Sequence, residues 1–406
     1  MSIIVQKYGG SSVADPDKIR NVARRIARSF DAGNQVVVVI SAMGDTTDDL
    51  IALAHKITDQ PDSREMDILL STGEIVSSSL LTMALHKLGY KAISLSGRQA
   101  GIHTDNAYSK ARILKVESAR IVEELDEGNI VIVAGFQGIT GESDITTLGR
   151  GGSDTSAVAL AISLKAGICE RYTDVDGIYT ADPRFCREAV KLKEIGYDEM
   201  LELASCGSKA IHYRAVELAG VYNMPVLVAS SFNDHPGTLI HGGKMEVRNK
   251  VRGIAHDLDV AKVTVSGIPD KPGVAASIFE PLAKAGVSVD TIVQNASSAE
   301  VNDLTFTVTK GELKKAMDVL NPIAKSIGAK QITSDSRLGK VSIVGTGMQN
   351  TPGYAARMFS TLSKEGINIL LITTSEIRIT CIIDEARVKD AVSALHKAFE
   401  LEKDGE

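Results

Sequence analysis

The last third of the chain is written twice, and no other feature limits its fold so tightly. Val263-Thr-Val-Ser-Gly267 is echoed by Val341-Ser-Ile-Val-Gly345. Asp270-Lys-Pro-Gly273 is echoed by Asn350-Thr-Pro-Gly353, the prolines standing 80 residues apart (352 minus 272). At the same offset Phe279 answers Phe359, Gly286 answers Gly366, and Val287-Ser-Val289 answers Ile367-Asn-Ile369. Each unit reads as strand, Pro-Gly turn, helix, glycine cap and strand. A second strand follows (Leu304–Val308, Ile377–Ile383), then a helix (Leu313–Ile327, Glu385–Glu400). That is the βαββα part of a small ferredoxin-like βαββαβ sandwich, twice over.

The first 245 residues follow another rule. Short β-branched runs, Ile3–Val5, Val36–Ile40, Ala92–Leu95, Ile130–Ala134, Glu170–Thr173 and Val226–Ala229, alternate with amphipathic stretches such as Asp48–Asp59, Thr72–Leu88 and Asp154–Lys165. Such alternation predicts a three-layer αβα unit around a mostly parallel sheet, with ligands at the carboxyl ends of its strands. A charged connector is expected over 246–262, which divides the chain into 1–245, 263–336 and 337–406.

A net charge of -6 argues against nucleic acid or an anionic membrane as partner. No apolar run approaches the ~20 residues of a membrane span, and Met1–Val5 lacks the positive start of a signal peptide. Cys169, Cys186, Cys206 and Cys381 are widely spaced, as expected of a reduced, cytoplasmic protein. His103, His212 and His235 lack zinc-ligand spacing, so no protein-held metal is expected.

Lys7-Tyr8-Gly9-Gly10-Ser11-Ser12-Val13 lies between the first strand and a helix from about Pro16 to Phe30. Strand, glycine turn and helix point backbone N–H groups at an anion, and a lysine beside them suits a transferring phosphoryl group. Ser41-Ala-Met-Gly44 ends the second strand, and Thr46-Thr47 reads as a helix cap. Ser71-Thr-Gly-Glu74 reads as the opening of a helix, with Glu74 a first-turn acid favoured by the dipole. In Gly149-Arg150-Gly151-Gly152-Ser153-Asp154 the glycines form an anion clamp around an arginine, while Ser153 or Asp154 can cap the helix that follows. Thr173-Asp174, Asp176-Gly177, Tyr179 and Asp182-Pro-Arg184 crowd polar groups at a strand end, where aspartates also serve simple turns. Lys209 fits a solvated helix position equally well.

In this order the motifs resemble the aspartokinases, members of the amino-acid kinase family with two C-terminal ACT domains, and the likeness covers essentially the whole chain. The resemblance implies ATP-dependent phosphorylation of the side-chain carboxylate of L-aspartate, with Mg²⁺ held mainly by the nucleotide phosphates. It gives Lys7 and Asp154 catalytic roles. It puts Tyr8, Gly9, Gly10, Ser41, Thr173, Asp174, Tyr179, Arg184 and Lys209 with Lys7 around the nucleotide. Thr47, Glu74, Arg150, Gly151, Gly152 and Ser153 hold the substrate. An effector, lysine or threonine, is expected at Asp270, Gln294 and Asn295, at the end of a strand over Val287–Val293. Its carboxylate would face the helix start near Val274 and its ammonium Asp270. Ser375, Glu376 and Ile377 would complete a pocket if the repeats pair across subunits, and the uncharged Asn350 makes the second pocket weaker. A homo-oligomer is expected, or an assembly with a shorter regulatory subunit started near Met245. The other readings are another amino-acid kinase, such as one acting on glutamate, and an inactive amino-acid sensor.

Overall fold

A computed structural model describes residues 2–242, 251–295, 301–348 and 351–403 of the chain. Eight strands form the first sheet: β1 (Ile3–Tyr8), β2 (Gln35–Ile40), β3 (Ala92–Leu95), β6 (Ile130–Ala134), β9 (Ile168–Thr173), β10 (Glu194–Gly196), β11 (Val226–Ser230) and β12 (Thr238–His241). Their order is β10-β12-β11-β9-β1-β2-β6-β3, parallel throughout except between β11 and β12. A smaller sheet of β4 (Ile102–Thr104), β5 (Ile113–Val116), β7 (Gln137–Ile139) and β8 (Ile145–Thr147) stands beside it.

Side chains on a strand alternate between faces, and β2 shows what that does. Val36, Val38 and Ile40 pack with Ile19, Val22 and Ile26 of α1 (Pro16–Asp31) and with Leu81 and Leu85 of α3 (Ser63–Lys87). Val37 and Val39 face the other way, onto Val158 and Leu160 of α5 (Gly152–Ser163) and Ala215 and Val216 of α7 (Tyr213–Val221). The result is the expected three layers. The remaining helices are α2 (Thr46–Ile57), α4 (Ala119–Asp126) and α6 (Tyr197–Ser205).

Helix α3 begins earlier than its sequence suggests. Asp62, just after Pro61, caps it by accepting from the N–H groups of Arg64 and Glu65. Ser71–Glu74 therefore lies inside a 25-residue helix, and Glu74 is not a first-turn acid. An 18-residue window of α3 reaches a mean hydropathy of 1.5, enough in length and composition for a membrane span, and half of it is buried against the rest of the fold.

The second large sheet joins β13 (Gly253–Pro269), β14 (Ile292–Asn295), β15 (Val301–Val308), β16 (Gln331–Val344), β17 (Leu371–Thr374) and β18 (Arg378–Asp384), in the order β14-β15-β13-β16-β18-β17. Its helices are α8 (Val274–Lys284), α9 (Leu313–Ser326), α10 (Tyr354–Lys364) and α11 (Val388–Ala398). Gly273 and Gly353, both with left-handed backbone (φ 92° and 108°), start α8 and α10, as the Pro-Gly repeat predicts.

Two expectations change here. The 246–262 stretch is strand from Gly253 onward, its charged His256, Asp257 and Asp259 masking the alternation. Gly253–Asp257 pairs with Lys340–Val344 and completes the second repeat, whereas Val260–Ser266 pairs with Gln331–Leu338 in the first. One long strand thus serves both repeats. In addition, the Val287–Val293 strand begins only at Ile292, because Gly286 (φ 68°) leads into irregular chain tied to Thr307 at Asp290 and Thr291. Met245 and Asn350 lie outside the described residues.

Candidate active site

Lys7 is not in the turn but on β1, one residue before its end. In register it lies between Val39 of β2 and Arg171 of β9, so the two cations stand side by side on the face covered by α5. The first turn of α5 supplies Asp154. Lys7 Nζ is 2.7 Å from Asp154 Oδ1, and Arg171 Nε donates to Asp154 Oδ2 at 3.0 Å. The His212 N–H reaches Oδ2 as well, at 3.3 Å. Neither Asp154 nor Ser153 caps α5; its N-cap is Gly151, with no side-chain bond. Burial pulls the Asp154 carboxyl upward, but Arg171 and Lys7 outweigh it and hold the group well below the usual carboxylate range. Burial lowers the Lys7 ammonium against the pull of Asp154.

Beyond β1 the chain turns at Gly9 and Gly10 into a short 3₁₀ helix, Gly10–Val13. A Cβ on Gly9 would sit 3.6 Å from Lys7 Nζ and cover the ammonium, and one on Gly10 would press on the Ala42 carbonyl at 2.8 Å. Glycine here leaves the approach to Lys7 bare. Tyr8 points away, into the opposite core: its ring stacks on Tyr172 and its hydroxyl donates to Gln6, so only its main chain reaches the turn. Its carbonyl accepts from Ser41 N at the end of β2.

Glu74 is buried at 3% exposure and accepts from Ala42 N through Oε1, while Oε2 is buried without a partner. Burial pushes its carboxyl up to about 8, over the opposing Ala42 hydrogen bond and the Lys7 charge. A helix dipole does not explain such an acid, because Glu74 lies in the middle of α3. Thr47 stands in the first turn of α2, half-buried.

Gly149 and Gly151 flank Arg150 with φ of 74° and 71°, conformations that glycine adopts freely. Gly152 must also be bare, since a Cβ would meet that of Leu148 at 2.8 Å. The glycines therefore have backbone reasons of their own. Arg150 has none: it is exposed and makes no ion pair among the described residues. The loop is anchored by Asp67 of α3, which accepts from Ser109 N, Thr147 N and Thr147 Oγ1 at 2.7–3.1 Å.

At the end of β9, Thr173 Oγ1 donates to Asp174, and the Thr173 carbonyl accepts from Ser231 N. Tyr179 donates to Asp176, Arg184 grips Asp182 through two nitrogens, and Lys209 is exposed. In the first repeat Asp270 accepts from Asn302 Nδ2 at 3.0 Å, and Gln294 and Asn295 are exposed on the edge strand β14. Ser375, Glu376 and Ile377 follow β17, on the opposite edge of the six-stranded sheet, so one chain does not bring the two groups together. Ser375 instead donates to Glu202 of α6.

Residues 2–230 match the amino acid kinase family, and 263–322 and 341–399 match the ACT domain. The aspartokinase of Mycolicibacterium smegmatis is 49% identical over 412 aligned residues, covering 100% of this chain and 98% of its own. The chain belongs to the aspartokinase family. E. coli aspartokinase III, solved with aspartate and ADP in its R-state, is 25% identical, with a TM-score of 0.83 over 98% of this chain and 100% of that one. The same enzyme solved with lysine and aspartate in its T-state is also 25% identical, with a TM-score of 0.75 over 98% of this chain and 99% of that one.

Among features that sequence reading passes over in this aspartokinase, Arg171 is the foremost. Its signal was a charge inside a central buried strand, where charges are rare unless paired. Ser231, whose hydroxyl accepts from Ser12 Oγ and donates to the Thr173 carbonyl across the strand ends, had only the Ser-Ser at the end of β11 to mark it. Asp67 carried no local signal, because its partners are 42 and 80 residues away.

Proposed function

We propose that this aspartokinase transfers the γ-phosphoryl group of ATP to the side-chain carboxylate of L-aspartate, giving 4-phospho-L-aspartate. The observation that carries the reading is a buried cation cluster at the strand ends facing a glycine turn, with the unpaired acid Glu74 beside that turn. The acceptor carboxylate has a pKa of about 3.9 and is already ionised, so no general base is needed. The barrier is repulsion between anions, and positioning with fixed cations lowers it. Lys7 meets the transferring phosphoryl group, aimed by Asp154. Gly9, Gly10 and Ser41 line the phosphate path, and Thr173, Asp174, Tyr179, Arg184 and Lys209 surround the nucleotide. Arg150 takes the substrate's α-carboxylate, Glu74 its ammonium, and Thr47 with Gly151–Ser153 its remaining polar groups. A Mg²⁺ carried by the phosphates shields their charge. The cytoplasm is the setting in which four buried free thiols and ATP fit together.

ADP release with aspartate, with glutamate and with no acceptor tests the reading. Release should depend on aspartate, and Lys7→Ala should lower it by ~10²–10³ at an unchanged melting temperature. Preference for glutamate, or release indifferent to acceptor, would overturn it.

Glu74 makes the reading sensitive to pH. A carboxyl raised to about 8 is largely protonated in the free enzyme at neutral pH, and a substrate ammonium draws out its ionised form. Aspartate binding should release a proton, and affinity should rise as pH climbs toward about 8. Calorimetry in buffers of different ionisation heat measures this. The sign for stability is opposite: the raised pKa stabilises the free protein at low pH and that contribution fades as pH rises through about 8, an effect Glu74→Gln should abolish.

The same reading includes feedback by lysine or threonine at Asp270. The strands β14 and β17 are the two edges of their sheet, so a second copy can extend either one, and light scattering should show an oligomer.

A further inference from the structure

We propose that Arg171 is a positioning residue for phosphoryl transfer: it holds Asp154 from the side opposite Lys7, aims the Lys7 ammonium, and leaves the buried cluster one positive charge in excess. The inference rests on the phosphoryl-transfer reading above. Three observations carry it. Parallel register makes Lys7 and Arg171 direct neighbours, and Asp154 divides its oxygens between them, Oδ1 to Lys7 at 2.7 Å and Oδ2 to Arg171 at 3.0 Å. The surroundings, Ala157, Val158, Ile211 and Val226, are apolar, so the charges act with little screening. Finally, Arg171 Nη1 is buried with no hydrogen-bond partner.

A lysine and an aspartate alone would form a neutral pair needing nothing further. A second buried cation costs desolvation energy and leaves a donor unpaired, a poor arrangement for stability alone. It suits a site that must receive polyphosphate and carboxylate together. Sharing Asp154 also keeps its charge from being spent wholly on Lys7. The titratable groups acting on Lys7 are Asp154, Arg171 and Cys169, with Glu74 feeling the Lys7 charge from α3 and His212 bonded to Asp154 through its backbone. Arg171 is the cation among those acting on Lys7, and it favours loss of the Lys7 proton.

The test compares wild type, Arg171→Met and Arg171→Lys by aspartate-dependent ADP release across pH, with melting temperatures alongside. In the Met variant kcat should fall by about tenfold to ~10²-fold, the scale of a ~1 Å misplacement, with a smaller change in KM for aspartate. The alkaline limb of kcat should move to higher pH, because a positive neighbour no longer favours the neutral amine. Arg171→Lys should recover much of the rate and keep the limb near wild type. If the Met variant does not fold, Arg171→Gln takes its place with the same expectations. Turnover of the uncharged variant within about twofold of wild type would overturn the proposal. So would equal impairment of both variants with an unmoved limb. Wild type lacking aspartate-dependent release would overturn the functional reading instead.

Discussion

The two ACT repeats share a sheet and a sequence pattern, yet they meet the kinase domain in opposite ways. The first closes on itself: Val263, Val265, Ile278, Leu304, Phe306 and Leu320 pack with residues of the same repeat. The second builds its core partly from kinase residues, with Ala181 and Cys186 packed among Ile343, Met358 and Leu395. Polar contacts follow the same division. His396 shares a buried 2.8 Å hydrogen bond with Thr180, Thr346 donates to Glu199, and Arg378 and Ser375 both donate to Glu202. Among the described residues the hydrogen bonds and ion pairs between the tail and the kinase domain come from the second repeat and from Arg252, just before its first strand. The second repeat is therefore the one that touches the stretch 173–184, through Thr180 and Ala181.

The severest test of this contrast removes equal volume from each core. Leu395→Ala and Leu320→Ala delete fully buried leucines of the second and first repeats and should each cost about 2–5 kcal/mol locally. Thermal unfolding with turnover should show Leu395→Ala losing most activity at temperatures where Leu320→Ala keeps it. Similar losses in both would erase the distinction. A smaller effect is expected of Asp270→Ala: inhibition by lysine or threonine should weaken at least severalfold while uninhibited turnover stays near wild type. Inhibition curves that superimpose on wild type would place the effector elsewhere. Smallest is Glu202→Gln, which leaves hydrogen bonding but removes the charge facing a part-exposed Arg378. It should cost less than about 1 kcal/mol in stability and shift the effector concentration for half-inhibition without changing its maximum. An unchanged half-inhibition point would show that the Glu202 charge carries none of the coupling.

The same division separates what the sequence reveals from what it conceals. Six of the eight strands of the first sheet were legible, most of them because β-branched runs like Val36–Ile40 are buried on both faces and carry no competing polar signal. Gly9, Gly10 and the Arg150 loop were legible because glycine in such positions has few other uses. Local pattern could not show that Lys7 is still strand, since its neighbours across the parallel sheet, Val39 and Arg171, lie 32 and 164 positions away (39 minus 7 and 171 minus 7). Glu74 looked like a helix start because Ser-Thr precedes it, and only the Asp62 cap twelve residues upstream, at 74 minus 62, reveals a helix already running. Nor could repeat alignment show that β13 belongs to both units, because the copied motif begins at Val263, inside that strand.

That shared strand sets an order of events during synthesis. Gly253–Asp257 leaves the ribosome before any of the first repeat, but its partner Lys340–Val344 is made 83 residues later, at 340 minus 257. At ~5–20 residues per second the interval is roughly 4–17 s, during which the first repeat is being made and the earlier strand waits unpaired. The kinase domain waits too, since Ala181 and Cys186 gain their apolar cover only when the second repeat arrives. The newborn enzyme is therefore assembled from the inside of its tail outward, and its catalytic half is sealed last.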